Sequence, residues 1–182
     1  MRQRGITLME LVLTLVVGTV VLGGLFQALI SMSSSFTQTN AINQTVVDAS
    51  DAANTIAAAI RRSPNCQTRN GCTANPGSAI LDGTATTIWL FRDGKGNTVK
   101  YSNQLGSIVS TVGSEQNELA ETGSFRLRYF GASRYNANEL QEFTPTSATF
   151  KNVIAIELFV TVTRGRITDT HSTIVRLRNS PM

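Results

Sequence analysis

The stretch that decides the fold is residues 11–30, LVLTLVVGTVVLGGLFQALI, which contains no charged side chain. Twenty helical residues extend about 30 Å, which is the hydrocarbon thickness of a bilayer. Arg2 and Arg4 precede this stretch, and the next basic residue is Arg61. The positive-inside rule therefore keeps the N-terminus in the cytoplasm and places the rest of the chain outside. The sequence predicts a single membrane span, and it excludes a polytopic membrane protein because no second stretch is as long and apolar.

Removal of this stretch on export is the alternative. A cleavable signal peptide has an apolar core of about 7–15 residues, followed by a small-residue cleavage site. Residues 28–35, ALISMSSS, could supply such a site. The apolar run is longer than a signal peptide requires, so we expect the helix to stay in the mature protein.

The rest of the chain has the composition of a folded domain. Charged residues make up 15% of the 182 residues and hydrophobic residues 41%, whereas disordered chains combine high charge with low hydrophobicity. Residues 5–60 contain no Lys or Arg, and 14 of the 16 basic residues lie in residues 61–182 together with nine of the 12 acidic ones. The C-terminal part is therefore a basic domain attached to an almost uncharged N-terminal segment.

One acid stands at the edge of the apolar stretch. Glu10 follows Gly5 by five positions in RGITLME, residues 4–10, where a basic leader ends in glycine and the apolar Ile6 comes next. A carboxylate at the bilayer centre costs about 2.5–3.5 kcal/mol. Glu10 is therefore either solvated by lipid headgroups or paired with a group on another molecule.

This motif resembles the class III signal of type IV pilins and type II secretion pseudopilins. In that family a prepilin peptidase cuts after the glycine and N-methylates the new first residue. The resemblance implies cleavage between Gly5 and Ile6, methylation of Ile6, and pairing of Glu10 with the amine of a neighbouring subunit, which sets the axial register. Phe is the commonest first residue in the family, so Ile6 is a departure, and the helix-breaking proline of many family members is missing.

Apolar side chains continue along one helical face beyond the span. They recur at intervals of four and three residues and fall within about 40° of one line: Ile42, Val46, Ala49, Ala53, Ile56 and Ile60. Arg61 and Arg62 suit the C-terminal end of a helix, and Pro64 prevents its continuation. The pattern predicts one near-continuous helix over residues 6–62. Two helices joined at the serine-rich residues 31–35 are the alternative.

The two cysteines of the chain, Cys66 and Cys72, bracket the segment QTRNG. Two cysteines close together in an exported segment, with turn residues between them, predict a disulfide. A metal site would need further Cys or His ligands, and His171 is the one histidine. We therefore expect neither a metal nor a cofactor.

Alternating apolar residues predict a β-rich C-terminal domain. The expected strands are residues 87–91 and 98–101 as a hairpin, 107–112, 125–129, 154–162, and 174–178 after a loop at 164–170. Arg126 and Arg128 would lie on the solvent face of their strand. We expect a largely antiparallel sheet whose apolar face is covered by the stripe on the helix.

The predicted fold class is therefore α+β and pilin-like, with a long N-terminal helix, transmembrane in its first half, packed against a mainly antiparallel β-sheet domain. Its parts are a leader peptide (1–5), the transmembrane half of the helix (6–30), an amphipathic periplasmic half (31–62) and a globular β-rich domain (63–182). The order of the predicted strands resembles J-type minor pseudopilins and W-type minor pilins.

Residues with catalytic chemistry are isolated in the sequence. Asp169, His171 and Ser172 have the residue types of a hydrolytic triad, but we expect them in a polar hairpin loop that could not position them rigidly. We therefore expect no enzymatic activity.

A calcium site is the metal site that the sequence could offer. Glu115, Glu118 and Glu121 step by three, which predicts a helical turn or an exposed loop. Glu115, Asn117 and Glu118 could bind calcium, but the dense acidic pattern of a dedicated loop is missing.

Nucleic-acid binding is suggested by arginines at alternating strand positions: Arg126, Arg128, Arg134, Arg176 and Arg178. Solvent faces of strands are normally charged, and the net charge of the domain is modest for a nucleic-acid-binding protein. We therefore do not expect nucleic acid as the partner.

Two functions follow from these observations. The first is a minor pilin or pseudopilin, a structural subunit of the inner membrane that helps to initiate, cap or assemble a type IV pilus or a type II secretion pseudopilus. Its partners would be the prepilin peptidase and other pilins or pseudopilins, contacted through the N-terminal helix. The second is a membrane-anchored extracytoplasmic binding or sensor domain that never polymerises, including one that binds DNA.

Overall fold

The protein has the α+β architecture expected from its sequence, a long helix followed by antiparallel strands. The structure is a computed structural model that describes residues 8–66, 75–93, 97–133 and 139–177. The helix, α1, spans Leu8–Arg62. The strands are β1 (Ile80–Gly83), β2 (Thr87–Phe91), β3 (Thr98–Gln104), β4 (Ser107–Val112), β5 (Glu115–Ala120), β6 (Gly123–Ala132), β7 (Leu140–Phe143), β8 (Ala155–Arg164) and β9 (Ile167–Arg176), with a short 3₁₀ helix at Phe150–Asn152.

The chain divides into two compact units, one up to Ile42 and one from Asn43 onward. In its described part the first unit consists of helix α1 alone. The helix is unbroken through the serine-rich residues 31–35, so the alternative of two helices joined there is wrong. The second unit contains the C-terminal part of α1 and all nine strands.

The strands of the second unit form two antiparallel sheets, where the sequence predicted one. The first sheet has the order β1-β2-β3-β4-β5 and the second the order β7-β6-β8-β9. Strands that are neighbours in the first sheet are also neighbours in sequence. Two-residue turns connect β3 to β4 and β4 to β5. The second sheet begins where β6 pairs with β8, with Gly123 opposite Val162. This pairing joins strands far apart in sequence, so local patterns did not reveal it.

The C-terminal part of α1 packs against the sheets through the predicted stripe. Ala49, Ala53, Ile56 and Ile60 have no exposed surface, which confirms this half of the prediction. Thr45, Ala52 and Ala57 widen the buried face. Four of the seven buried residues are alanines, so small side chains make up most of the buried face of the helix. Ile42 and Val46, the first two residues of the stripe, remain exposed.

The core confirms the predicted alternation in the two long strands β6 and β8. Phe125, Leu127 and Tyr129 point inward from β6, while Arg126 and Arg128 point outward. On β8 the residues Ile156, Leu158, Val160 and Val162 alternate as fully buried positions, and Ala155 at the start of the strand is buried as well. The hairpin of β2 and β3 and the bounds of β4 also agree with the sequence prediction.

The first half of β6 is joined to the first sheet by an amide side chain. β7 pairs with β6 from Tyr129 onward, so the edge of β6 before that point needs other partners. Asn103 of β3 supplies them, because its side-chain amide donates to the carbonyl oxygen of Phe125 and accepts from its backbone N–H, both at 2.9 Å. The backbone N–H of Leu127 donates to the carbonyl of Ala85 at 2.8 Å. Asn103 therefore replaces a neighbouring strand at this edge.

The last hairpin differs from its prediction. β8 continues to Arg164, and β9 begins at Ile167 after two turn residues, Gly165 and Arg166. Gly165 takes a φ of +62°, which favours glycine. Threonines explain the longer strands, because β-branched residues favour strands and the hydroxyls of Thr161 and Thr170 hydrogen-bond across the ladder at 3.0 Å. The predicted loop at 164–170 is therefore wrong, and residue 178 lies outside the described residues.

Two further predictions about polar segments were wrong, because these polar residues lie in strands. Asp169, His171 and Ser172 lie in strand β9 rather than in a loop. Glu115 and Glu118 belong to strand β5 rather than to a helical turn. Both strands lie at the edge of a sheet, where few side chains are fully buried and the hydrophobic alternation is therefore weak.

The buried hydroxyl of Ser63 connects the end of α1 to the first sheet through hydrogen bonds. Its Oγ lies 2.7 Å from the carbonyl oxygen of Ala79 and 2.8 Å from that of Phe91, which brings together the end of the helix, the entry to β1 and the end of β2. The residue is 4% exposed, so water cannot replace these bonds easily.

Ser63→Ala should therefore lower the free energy of unfolding by about 1–2 kcal/mol, the cost of leaving a buried polar partner unsatisfied. The change is measured by urea unfolding of the full chain in detergent, followed by the fluorescence of Trp89. Ser114→Ala, at an exposed position of a turn, is the matched control and should change stability by less than about 0.5 kcal/mol. Equal effects of the two substitutions would contradict this role of Ser63.

Candidate assembly surface

Glu10 lies in the first described turn of α1 and is exposed. Its neighbours are large apolar side chains that are exposed as well: Leu8 at 85%, Met9 at 83% and Leu11 at 59%. Within the described part of the chain, no ion pair involves Glu10. A carboxylate is thus presented on an apolar surface without a cationic partner from its own described residues.

The apolar surface around Glu10 extends along the helix to Ile30. From Leu8 to Gln44 no residue of α1 is buried. The large apolar side chains that follow Glu10 are more than half exposed: Leu11, Val12, Leu13, Leu15, Val16, Val17, Val20, Val21, Leu22, Leu25, Phe26, Leu29 and Ile30. An apolar surface of this extent indicates contact with lipid or with other proteins. By length and composition, α1 can cross a membrane.

Several hydroxyl groups of α1 bond to backbone carbonyls of the helix itself. Thr14 Oγ1 donates to the carbonyl oxygen of Glu10, and Thr19 Oγ1 to that of Val16 at 2.8 Å. Ser35 and Thr37 bond in the same way to carbonyls one turn earlier. In lipid every polar group needs an internal partner. Thr14 and Thr19, the two hydroxyl residues within the apolar stretch 11–30, therefore do not oppose burial in an apolar environment.

The remaining residues predicted to act in processing lie outside the described residues. Gly5 and Ile6, the expected cleavage and methylation positions, precede Leu8, and Cys72 falls in the segment 67–74. Cys66 is described and is 1% exposed, packed against Phe91. The pairing of Cys66 with Cys72 stays a prediction.

Of the arginines predicted on the outer face of the second sheet, Arg128 pairs with two carboxylates. Arg128 Nε lies 3.0 Å from Glu142 Oε1, and Arg128 Nη1 lies 3.2 Å from Glu157 Oε2. The hydrogen bond from Arg128 holds the pKa of the Glu142 carboxyl below its usual value. Arg126 and Arg176 have no such carboxylate among the described residues, while Arg134 and Arg178 lie outside them. Among the described residues, Arg128 is therefore the only one of these arginines in an ion pair, while the charge of Arg126 also acts on Glu142.

The residues of the other candidate sites do not converge, because they lie on strands whose side chains alternate between two faces. In β9, Asp169 and His171 point to one face and Ser172 to the other. In β5, Asn117 and Glu118 likewise point to opposite faces. Over the described ranges, no three His, Cys, Asp or Glu side chains approach closely enough to hold a metal ion.

Sequence reasoning found the exposed apolar helix and its acid but missed Ser63 and Asn103. The partners of both residues lie 16 to 28 positions away along the chain, and no local pattern marks such contacts. No family model matches the chain, and no curated protein matches it significantly. The candidate surface is therefore defined by the residues of this chain alone.

Proposed function

We propose that this protein is a pilin-like structural subunit, a minor pilin or pseudopilin that helps to initiate, cap or assemble a type IV pilus or a type II secretion pseudopilus. One observation carries the proposal. A single helix, α1, exposes an apolar surface with one carboxylate over its N-terminal part and contributes to the core of a β-domain with its C-terminal part. Such a helix anchors the subunit in the membrane first and packs against neighbouring subunits later.

The proposed chemistry of assembly begins with the leader. Prepilin peptidase cuts between Gly5 and Ile6 on the cytoplasmic side of the inner membrane and methylates the new amine of Ile6. The globular domain faces the periplasm, where Cys66 and Cys72 form a disulfide. The peptidase is the partner in this step, and other pilin-like subunits are the partners in the next.

The role proposed for Glu10 follows from the energetics of buried charge. An ionised carboxylate and an ammonium group are both costly in a low-dielectric environment, and each relieves the other when they pair. When the amine of Ile6 in one subunit meets Glu10 of its neighbour, both charges are compensated. A subunit at the wrong height along the filament leaves both unpaired, so the pair selects the axial register.

The proposal is tested by mass spectrometry of the mature N-terminus, isolated from the native host. We expect a chain that begins at Ile6 with a monomethylated amine. Gly5→Val should block the cut, so that the protein retains Met1 and its unmethylated leader. A wild-type protein that keeps Met1, or one that is cleaved near Ser31, would contradict the proposal.

A further inference from the structure

Strand β9 is the longest open edge of the two sheets. The outermost strands are β1 and β5 in the first sheet and β7 and β9 in the second. β1 and β7 have four residues each, and the pairings of β1 and β5 contain a register shift. β9 pairs with β8 over ten residues in unbroken register. Short edges and bulges hinder the addition of another strand, and β9 has neither protection. In β5 the shift lies between Glu118 and Ala120, so the edge from Glu115 to Glu118 is in regular register.

The backbone groups on the outer side of β9 can be assigned from its pairing. The N–H of Leu177 donates to the carbonyl of Ile154 at 2.9 Å, and inward and outward groups alternate along an antiparallel strand. The residues whose N–H and C=O point away from β8 are therefore Thr168, Thr170, Ser172, Ile174 and Arg176. Within the described ranges, no strand pairs with this side. The side chains of these residues are exposed, including Ile174 at 59%.

The positive charges near the ends of β9 are complementary to the negative charges of another exposed edge, that of β5. Arg166 and Arg176, near its two ends, have no carboxylate partner among the described residues, in contrast to Arg164, which lies 2.7 Å from Asp48. The β5 edge has the opposite charge. Glu115 and Glu118 are exposed there and form no ion pair with described residues, as is also true of Glu121 just beyond the strand.

We propose that the β9 edge of one copy adds to the β5 edge of a second copy, joining two sheets into one across the contact. Backbone hydrogen bonds would supply affinity, as in other cases of strand addition. The glutamates of β5 repel a second β5 edge but attract the arginines of β9, so charge selects the pairing. Because the two edges differ, the contact is heterologous and can repeat from copy to copy, into a ring or an open filament. It uses the globular units and does not depend on the N-terminal helix.

Crosslinking of the full chain in membranes tests the contact. Gln116→Cys on β5 and Ser172→Cys on β9 are placed on copies with different tags, and a short bismaleimide is added. We expect a crosslink between the two tags when one copy has the β5 cysteine and the other has the β9 cysteine. Copies with the same cysteine should crosslink at least about fivefold less.

Charge reversal provides the matched controls. Glu118→Lys on the β5 copy should reduce the crosslink about fivefold or more, because like charges face each other across strands, and Arg176→Glu on the β9 copy should restore it. Arg126→Glu reverses an exposed arginine on β6 and should have no effect. If Glu118→Lys unfolds the protein, Glu118→Gln removes the charge with less disturbance and should also lower the yield.

Three results would overturn the inference: no crosslink in any combination, an equal or stronger crosslink between two β9 cysteines, or a crosslink that ignores charge reversal. These results are independent of the processing experiment. An unmethylated N-terminus would contradict the proposed function without changing the crosslinking pattern, so the two failures can be distinguished.

Discussion

Glu10→Val should leave the protein in the membrane but reduce its incorporation into assemblies by about 100-fold or more. Valine is apolar, so insertion of α1 is preserved. The substitution removes the partner of the amine proposed at the mature N-terminus, and breaking a buried ion pair from one side costs about 3–5 kcal/mol. Each 1.4 kcal/mol corresponds to a factor of ten in an equilibrium. The measurement is the fraction of the protein in sheared or co-purified filament material relative to the membrane fraction.

Asp51→Asn is the matched control for this experiment. Asp51 lies on the same helix and is exposed, and no ion pair among the described residues involves it. Removing its charge should leave incorporation within about twofold of wild type. Glu10→Gln, which keeps the shape of the side chain and removes its charge, should behave like Glu10→Val. Normal incorporation of either Glu10 variant would contradict the pairing role.

Asn103→Ala should lower the free energy of unfolding by about 2–4 kcal/mol. The substitution leaves the N–H and C=O of Phe125 without the two 2.9 Å bonds that the amide supplies. An unsatisfied buried backbone group costs about 1–3 kcal/mol, and two groups of one residue are affected. Phe125 is 2% exposed, and its two bonds to Asn103 are partly buried, so water compensates only part of the loss. Urea unfolding of the full chain in detergent measures the loss.

Two further substitutions sharpen this experiment. Asn103→Asp retains an acceptor for the N–H of Phe125 but loses the donor for its carbonyl, so its effect should lie between those of wild type and alanine. Asn117→Ala makes the same change at an exposed position of β5 and should cost less than about 0.5 kcal/mol. A loss at Asn103 no larger than that at Asn117 would show that the amide does not support the edge of β6.

Much of the fold could be predicted from periodicity, where one face of an element is buried. The stripe from Ala49 to Ile60 and the alternation in β6 and β8 both follow from this single cause. β1, β5 and β7 were missed because they are short edge strands with few buried side chains, as EQNELA in β5 shows. The division into two sheets was missed because the pairing of β6 with β8 is not encoded in any local pattern.

The sequence alone predicted the candidate surface better than it predicted the packing contacts. The uncharged stretch and Glu10 could be located by residue type and spacing alone, and the structure places them on an exposed helix. The open β9 edge could not be anticipated, because ITDTHSTI reads as a polar loop until Thr161 and Thr170 are seen to face each other. Cleavage at Gly5, methylation of Ile6 and the Cys66–Cys72 disulfide stay predictions.

The central claim is that the exposed apolar face of α1 meets the helix of another subunit, with Glu10 at the contact. It is tested most directly by a photo-crosslinking amino acid at Val17, seven residues after Glu10 and on the same helical face. The probe should yield an adduct with a second pilin-like subunit in the native host, and Glu10→Val should remove that adduct. Adducts with lipid alone, or a protein adduct that persists without Glu10, would contradict the account.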